Sequence, residues 1–454
     1  MNIIIQNATL ITSTQILTSD IRIEGEKIVE IGLHIPFSST DTIIDATGKF
    51  VIPGGIDPHV HLHLSTGAGY SSDDFYSGSV AALFGGTTSI IDFVTPDKGQ
   101  SLVEALESRK IEAEMSLIDF SFHVSPIDWH AQIENELEQC KQMGITSFKV
   151  YLAYLQSIGL DQEVFAKVLQ KVAEIGGMVT IHCEMGKEID QLRDQFVSEG
   201  KVEPKYHPLS RPDYLEAEAV QLAIEMAAKA DCPIYIVHVS SEVSLKHIQE
   251  AQTKGLKVFG ETCPQYLLLN DETYQGEFAK TAPYVMSPPL RKTLDNEALW
   301  QSIKSGHIQT IGTDHCPFMM RQKELGIHDF RKIANGAGGI EHRLELLYTF
   351  GVLENKITLQ EWVSLCSTTP AKIFGMYPQK GALTIGSDAD LVIWNPNFER
   401  TISVVNHHQN CDSNIYEGFN IKGKAEKVFR RGEIMIEDGI LRSNLKQGVF
   451  LKRK

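Results

Sequence analysis

Hydrophobic residues run along this chain in two rhythms. Up to about residue 53 they come in short β-branched runs, Asn2–Ile5, Thr9–Thr12, Ile21–Ile23 and Ile28–Ile31, separated by polar turns. Gly25-Glu26-Lys27 reads as a hairpin turn. From Gly54 the rhythm changes: strand-length apolar runs alternate with longer stretches whose apolar residues recur every three or four positions. The strand candidates are Gly55–His61, Thr87–Val94, Leu117–His123, Ser147–Leu152, Met178–His182, Ile234–Val239, Leu256–Thr262 and Thr310–Thr313. Between them Ser101–Met115, Trp129–Met143, Gln162–Ile175, Tyr214–Ala230 and Val243–Thr253 are expected to be helices. After about residue 375 strand character returns, through the turn and strand Gly381–Trp394 and again at Lys427–Met435.

Eight strands alternating with helices predict a (β/α)8, TIM-like barrel over residues 54–374. A doubly wound open sheet would alternate in the same way. However, the chemistry-bearing residues fall at the C-terminal ends of many strands, and a barrel gathers those ends around one mouth. Segments 1–53 and 375–454 share a composition and are expected to join as one discontinuous β-sandwich domain. The end, Phe450-Leu451-Lys452-Arg453-Lys454, is expected to be a solvated basic tail.

A length of 454 residues suits one large domain and a smaller one. Acids outnumber bases by 58 to 42, a formal charge of −16, which argues against nucleic acid or an anionic membrane as the partner. The seven cysteines form no CxxC pair, the first residues look like a strand rather than a secretory signal, and no apolar run is long enough to span a bilayer. The expectation is a reduced, cytoplasmic protein. Cys183 and Cys316 are expected to be small packing residues.

The chemistry starts at Ile56-Asp57-Pro58-His59-Val60-His61. Alternate strand residues face the same way, so His59 and His61 project into one space, as half of a metal site would require. Later strands end on His182, His238 and Asp314, and the fourth carries Lys149. Each has a dull explanation alone. Together, four imidazoles and a carboxylate can hold two divalent ions about 3.5–4 Å apart, which lower the pKa of a shared water to about 7. An ammonium cannot ligate a cation. If the Lys149 amine adds carbon dioxide, it becomes a carbamate (N6-carboxylysine) whose two oxygens could bridge two metals.

These residues, with Gly55–His61, Ser72-Asp73-Asp74-Phe75, Gly85–Phe93, Ser147-Phe148-Lys149 and Ala153-Tyr154, resemble the cyclic amidohydrolases of the amidohydrolase superfamily, most closely dihydropyrimidinase/hydantoinase. The likeness continues through Val237–Ser241, Glu261–Tyr266, Ser287–Arg291, Gly312–Phe318, Asn335–Glu341 and Gly386–Leu391, nearly the whole chain. The HxH marks only the superfamily, whereas the segments around Lys149, Ser287 and Asn335 favour this branch. The resemblance implies one zinc on His59, His61, carbamylated Lys149 and Asp314, and a second on the same carbamate with His182 and His238. It implies a bridging hydroxide that attacks the ring carbonyl, with Asp314 shuttling the proton and Tyr154 hydrogen-bonding the oxyanion. Ser287 and Asn335, mainly through backbone groups, would hold the imide edge of the ring. Leu64, Tyr70 and Leu152 would wall the substituent pocket, and His63 is not expected to be a ligand. Ala334 stands where relatives often carry Pro.

The reaction so implied is ring opening of dihydropyrimidines (dihydrouracil, dihydrothymine) or 5-substituted hydantoins to N-carbamoyl amino acids. The resemblance also implies a homotetramer, in which the C-terminal tail could exchange between subunits. Allantoinase and dihydroorotase are the nearest rival activities, and dihydroorotate would need a dedicated cation in the pocket. A non-catalytic scaffold, like the collapsin response mediator proteins, is disfavoured because every expected ligand is present.

Overall fold

The computed structural model describes residues 2–454. Eight parallel strands lie side by side in chain order: Gly55–Val60, Thr87–Val94, Asp119–Val124, Ser147–Tyr151, Met178–His182, Ile234–Ile236, Val258–Thr262 and Thr310–Ile311. Nearly every residue in them is buried, because helices cover the outside and side chains fill the inside. The predicted helices are present as Leu102–Glu112, Ile133–Gln142, Gln162–Glu174, Asp213–Ala230 and Glu242–Thr253. Three of them start where a polar side chain caps the first turn: Ser101 accepts from Glu104 N, Asp161 from Val164 N and Ser241 from Ser244 N.

The first and eighth strands close the barrel through the residues that follow them. His61 N donates to the His315 carbonyl at 2.8 Å and Asp314 N to the His59 carbonyl at 2.9 Å. Below this seam the buried Asp57 carboxylate accepts from Thr313 N and Oγ1, and Arg343 donates to the carbonyls of Ile56 and Ile311 at 2.8 and 2.9 Å. The seam is thus the place where His59, His61 and Asp314 meet. The sixth and eighth strands are shorter than their apolar runs, so His238 and Asp314 lie just past strand ends rather than on them.

Residues from both termini form one nine-stranded, mostly antiparallel sheet. Phe50–Pro53 joins its halves, pairing in parallel with Asn2–Ile11 and antiparallel with Leu391–Thr401. The predicted strands Asn2–Ile5 and Thr9–Thr12 belong to a single strand, interrupted by a bulge between Ile5 and Ala8. The Gly25-Glu26 hairpin is present. Residues of both halves, among them Ile5, Ile21, Val51, Leu391 and Phe429, share one core. Ile52, Val392, Trp394 and Val428 pack toward the barrel instead.

The last residues are not solvated. Phe120 N donates to Val449 O and Leu451 N to Phe120 O, so the tail runs beside the third barrel strand of its own chain. Leu451 and Arg453 are buried, with Arg453 Nη1 on Ser147 Oγ at 2.7 Å. The adjacent apolar residues Phe450 and Leu451 supply the driving force that a reading of the charges alone overlooks. Among the described residues no helix is long and apolar enough to cross a membrane.

Candidate metal centre

At the barrel mouth the side chains of His59, His61 and Asp314 converge. Both imidazole Nε2 atoms lie 3.2 Å from Asp314 Oδ1, and the three ligand atoms are within 4.8 Å of one another. His182 Nδ1 and His238 Nε2 are 2.9 Å apart, and the His59 and His238 rings lie 5.4 Å centre to centre. Lys149 is buried among them, its Nζ 5.1 Å from the Phe93 ring and 4.9 Å from that of Tyr151. His238 and Asp314 hold left-handed backbone conformations, φ 41° and 53°, strain of the kind stored where side chains must be aimed.

The hydrogen bonds behind the rings fix which nitrogens face inward. His59 Nδ1 donates to Glu261 Oε1 at 2.6 Å, leaving the Nε2 lone pair for the cluster, and that buried atom has no hydrogen-bond partner. His182 Nε2 donates to Glu184 Oε2 at 2.7 Å, leaving Nδ1 to face His238. Glu184 is in turn held by Arg211 at 2.5 Å, and Glu261 by the Tyr235 hydroxyl at 2.7 Å. A carboxylate behind a ligating imidazole fixes its tautomer and raises its basicity, as metal sites commonly require. Neither glutamate was assigned a role from sequence. Glu184 stands two residues after His182, and Glu261 lies in the quoted Glu261–Tyr266 motif.

Burial lowers the pKa of His61, His182 and His238, so these rings are neutral and their lone pairs are free to ligate a cation. Burial opposes charge on His59 too, but Glu261 and Asp314 outweigh it and hold its imidazolium up to about 9, so a cation binding at Nε2 would displace a proton from it. Burial works against the Asp314 carboxylate, yet His59 and His61 keep it well below the usual carboxylate range. The seam therefore favours positive charge beside an ionised Asp314. Burial pushes the Lys149 ammonium down to about 8, against the pull of Asp314 and Glu261, which enlarges the fraction of free amine. Only the free amine can add carbon dioxide. The donor set fits two divalent cations: His59, His61 and Asp314 on one side, His182 and His238 on the other, and a carbamylated Lys149 between.

A cavity of about 1280 Å³ opens over the cluster. Tyr154, Ser287, Asn335, Leu64 and Tyr70 all line it. Ser287 Oγ donates to Asn335 Oδ1 at 2.9 Å. Burial pushes the Tyr154 phenol up, so it remains an O–H donor. Leu64 packs with Ala68 against Cys316, Phe318 and Ala334, and Cys183 and Cys316 are buried, free thiols. Leu152 is a correction: it belongs to the core outside the barrel and does not line the cavity. Lys149 and Tyr151 face inward on that strand, so Leu152 has the opposite parity. His63 lies outside the cluster, as expected. The strand has ended at Val60, and His63 stacks on Tyr70 at 4.0 Å while bonding Glu112.

Residues 50–435 match the profile of the amidohydrolase family. The chain is 40% identical to the D-hydantoinase of Ralstonia pickettii, an alignment covering 100% of this chain and 99% of that protein. It is 37% identical to the dihydropyrimidinase of Arabidopsis thaliana, covering 99% and 85%. The crystal structure of dihydropyrimidinase from Brevibacillus agri NCHU1002 superposes with a TM-score of 0.98 at 42% identity, covering 100% of this chain and 99% of that one. The L-hydantoinase of Arthrobacter aurescens gives 0.91 at 28% identity over 99% of both chains. Matched over its length in both sequence and fold, this chain belongs to the amidohydrolase family, in its hydantoinase and dihydropyrimidinase branch.

Proposed function

We propose that this protein is a dinuclear zinc hydrolase that opens the ring amide of 5-substituted hydantoins or dihydropyrimidines to N-carbamoyl amino acids. One observation carries the reading: two carboxylate-backed histidines, two further neutral histidines, a buried lysine and an ionised aspartate converge beneath one cavity. When bound, a zinc pair supplies a hydroxide at neutral pH and polarises the scissile carbonyl. Asp314 is ionised and aimed into the cavity, so its carboxylate can take the proton of the attacking water and deliver it to the departing ring nitrogen. The Tyr154 hydroxyl donates to the oxygen on which charge develops. Ser287 and Asn335 hold the imide edge of the ring. Carbamylation of Lys149 gives that side chain two oxygens where its ammonium would repel a cation.

The arginines of the cavity offer no free cation to a ring bearing its own carboxylate, such as dihydroorotate, which leaves only the exposed Lys332 on the cavity wall to meet one. The two arginines that line it are already paired, Arg109 with Asp92 and Glu112, and Arg331 with Asp329 and Asp194. The free thiols, six of the seven buried, suit a reducing cytoplasm.

The test is ring opening by zinc-loaded protein, with bicarbonate present, of dihydrouracil, a 5-substituted hydantoin, allantoin and dihydroorotate. Turnover confined to the first two is expected. Turnover of allantoin or dihydroorotate alone would replace this reading with a rival cyclic amidase.

A further inference from the structure

One four-residue turn, Met320–Lys323, touches both walls of the cavity. Lys323 is 1% exposed, and its Nζ donates to the carbonyls of Gly336 at 2.8 Å, Ala334 at 2.9 Å and Val285 at 3.3 Å. An ammonium has three donors and no acceptor, so this cage satisfies it completely. Among the described residues no carboxylate pairs with it. Burial pushes its pKa down to about 7, against the pull of Cys316 and Cys411. A buried cation held by carbonyls alone is costly to maintain, and surface solubility does not explain it.

The carbonyls it holds bracket the ring-facing residues. Ala334 and Gly336 flank Asn335, and Val285 lies two residues before Ser287. Gly336 N also donates to Val285 O at 3.0 Å, stitching the two loops together. With the Ala334 and Gly336 carbonyls turned onto Lys323, the intervening Asn335 backbone is left for the cavity. Among the described residues no protein group bonds its N–H or C=O. The approach is tight: at Gly336, φ 140°, a Cβ would lie 2.3 Å from the Cys316 carbonyl oxygen.

The neighbouring residue braces the other wall. Gln322 Nε2 donates to Ala68 O at 3.0 Å and Tyr70 O at 2.8 Å, while its Oε1 accepts from Met319 N at 3.0 Å. Ala68 and Tyr70 belong to a flap over the mouth, a two-stranded ribbon pairing Ser65–Thr66 with Gly69–Tyr70. Both walls therefore hang from adjacent side chains on one turn, itself tied down by Met320 N on Asp412 Oδ1 at 2.8 Å.

We propose that Lys323 and Gln322 are positioning residues for the substrate: Lys323 presents the Asn335 backbone to the ring, and Gln322 sets the flap that meets the ring's substituent. This rests on the cyclic-amidase reading above.

The test compares Lys323→Met, Lys323→Arg and Gln322→Met as zinc-loaded enzymes, on dihydrouracil and on a 5-aryl hydantoin. Lys323→Met leaves the Ala334 and Gly336 carbonyls unpaired, with Val285 O keeping only its bond from Gly336 N, and is expected to raise KM about tenfold on both substrates, with a smaller change in kcat. Gln322→Met is expected to shift the ratio of kcat/KM between the two substrates about fivefold. Hydrogen–deuterium exchange, which needs no turnover, is expected to quicken at 333–336 in Lys323→Met and at 65–70 in Gln322→Met. Unchanged KM in Lys323→Met, or an equal kcat loss at constant KM, overturns the ring role; an unshifted substrate ratio in Gln322→Met overturns the flap role. If Lys323→Met does not fold, Lys323→Arg decides: it keeps the charge but not the three-carbonyl fit, and unchanged KM there overturns the proposal. Wild-type protein that opens no cyclic amide would sink the functional reading, while the exchange data would still judge the bracing.

Discussion

His59 and Glu261 lie 202 positions apart in the chain and meet across 2.6 Å in a site nearly closed to solvent. The same carboxylate accepts from the Tyr235 hydroxyl and from His238 N, so one side chain orients parts of both halves of the ligand cluster. Glu261→Gln keeps the shape but puts an amide where a carboxylate accepted the His59 proton. Zinc affinity is expected to fall about 10–100-fold, measured by competition with a chelator. Unchanged affinity would mean that the ring is oriented by packing alone.

Tyr154 should act on the chemical step rather than on binding. Tyr154→Phe keeps the ring beside His182, at 5.3 Å between centroids, and removes only the hydroxyl. The expected result is a fall of about 10²–10³ in kcat with little change in KM. A change in KM alone would make Tyr154 a binding wall.

Lys380 joins the barrel to the terminal sheet. Its Nζ lies 2.5 Å from Asp119, 2.7 Å from Asp390 and 3.0 Å from Asp388, all buried. Lys380→Met removes the one cation shared by all three carboxylates, leaving Asp388 only Lys27 and Asp119 only Arg431, and is expected to cost about 3–5 kcal/mol, measured by denaturant unfolding. Burial opposes the Lys380 charge, but the aspartates raise its folded pKa above the usual lysine value. Its stabilisation is therefore full below about pH 10.4 and is lost as pH rises through the folded value. The Asp388 pKa is lowered, burial being outweighed by Lys380 and Lys27, so that contribution is lost as pH falls below the ordinary carboxylate range. Asp390, raised by burial, offsets part of the gain at neutral pH.

The C-terminal residues should matter to the barrel itself. Arg453 contacts Ser147 Oγ, which meets His123 Nδ1 at 2.6 Å, and His123 Nε2 donates to the Pro58 carbonyl at 3.0 Å, one residue before His59. Deleting residues 449–454 is expected to destabilise the protein by about 3 kcal/mol or more through exposed apolar area alone. A melting temperature equal to that of the full chain would restore the view of a solvated tail.

Much of this was legible in the sequence, because barrel strands are locally encoded. Apolar runs such as Thr87–Val94 and alternation through His59 and His61 place the ligands without knowledge of distant contacts. What escaped is non-local or irregular. Glu261 behind His59 is a through-space relationship, and the short His182-Cys183-Glu184 spacing was its only local counterpart. Lys323 looks like an ordinary helical lysine until three carbonyls from two other loops surround it. Leu152 could have been placed by strand parity, since Lys149 and Tyr151 point inward. The tail resisted because its charged residues mask two apolar anchors.

The most direct test of the metal centre is elemental analysis of zinc per chain, for wild-type protein and Lys149→Ala, both prepared with bicarbonate. The account predicts two zinc ions per wild-type chain and at most one in Lys149→Ala, because the variant lacks the group that bridges the two sides. Two zinc ions in both proteins would contradict a bridging Lys149, and none in the wild type would contradict the centre itself.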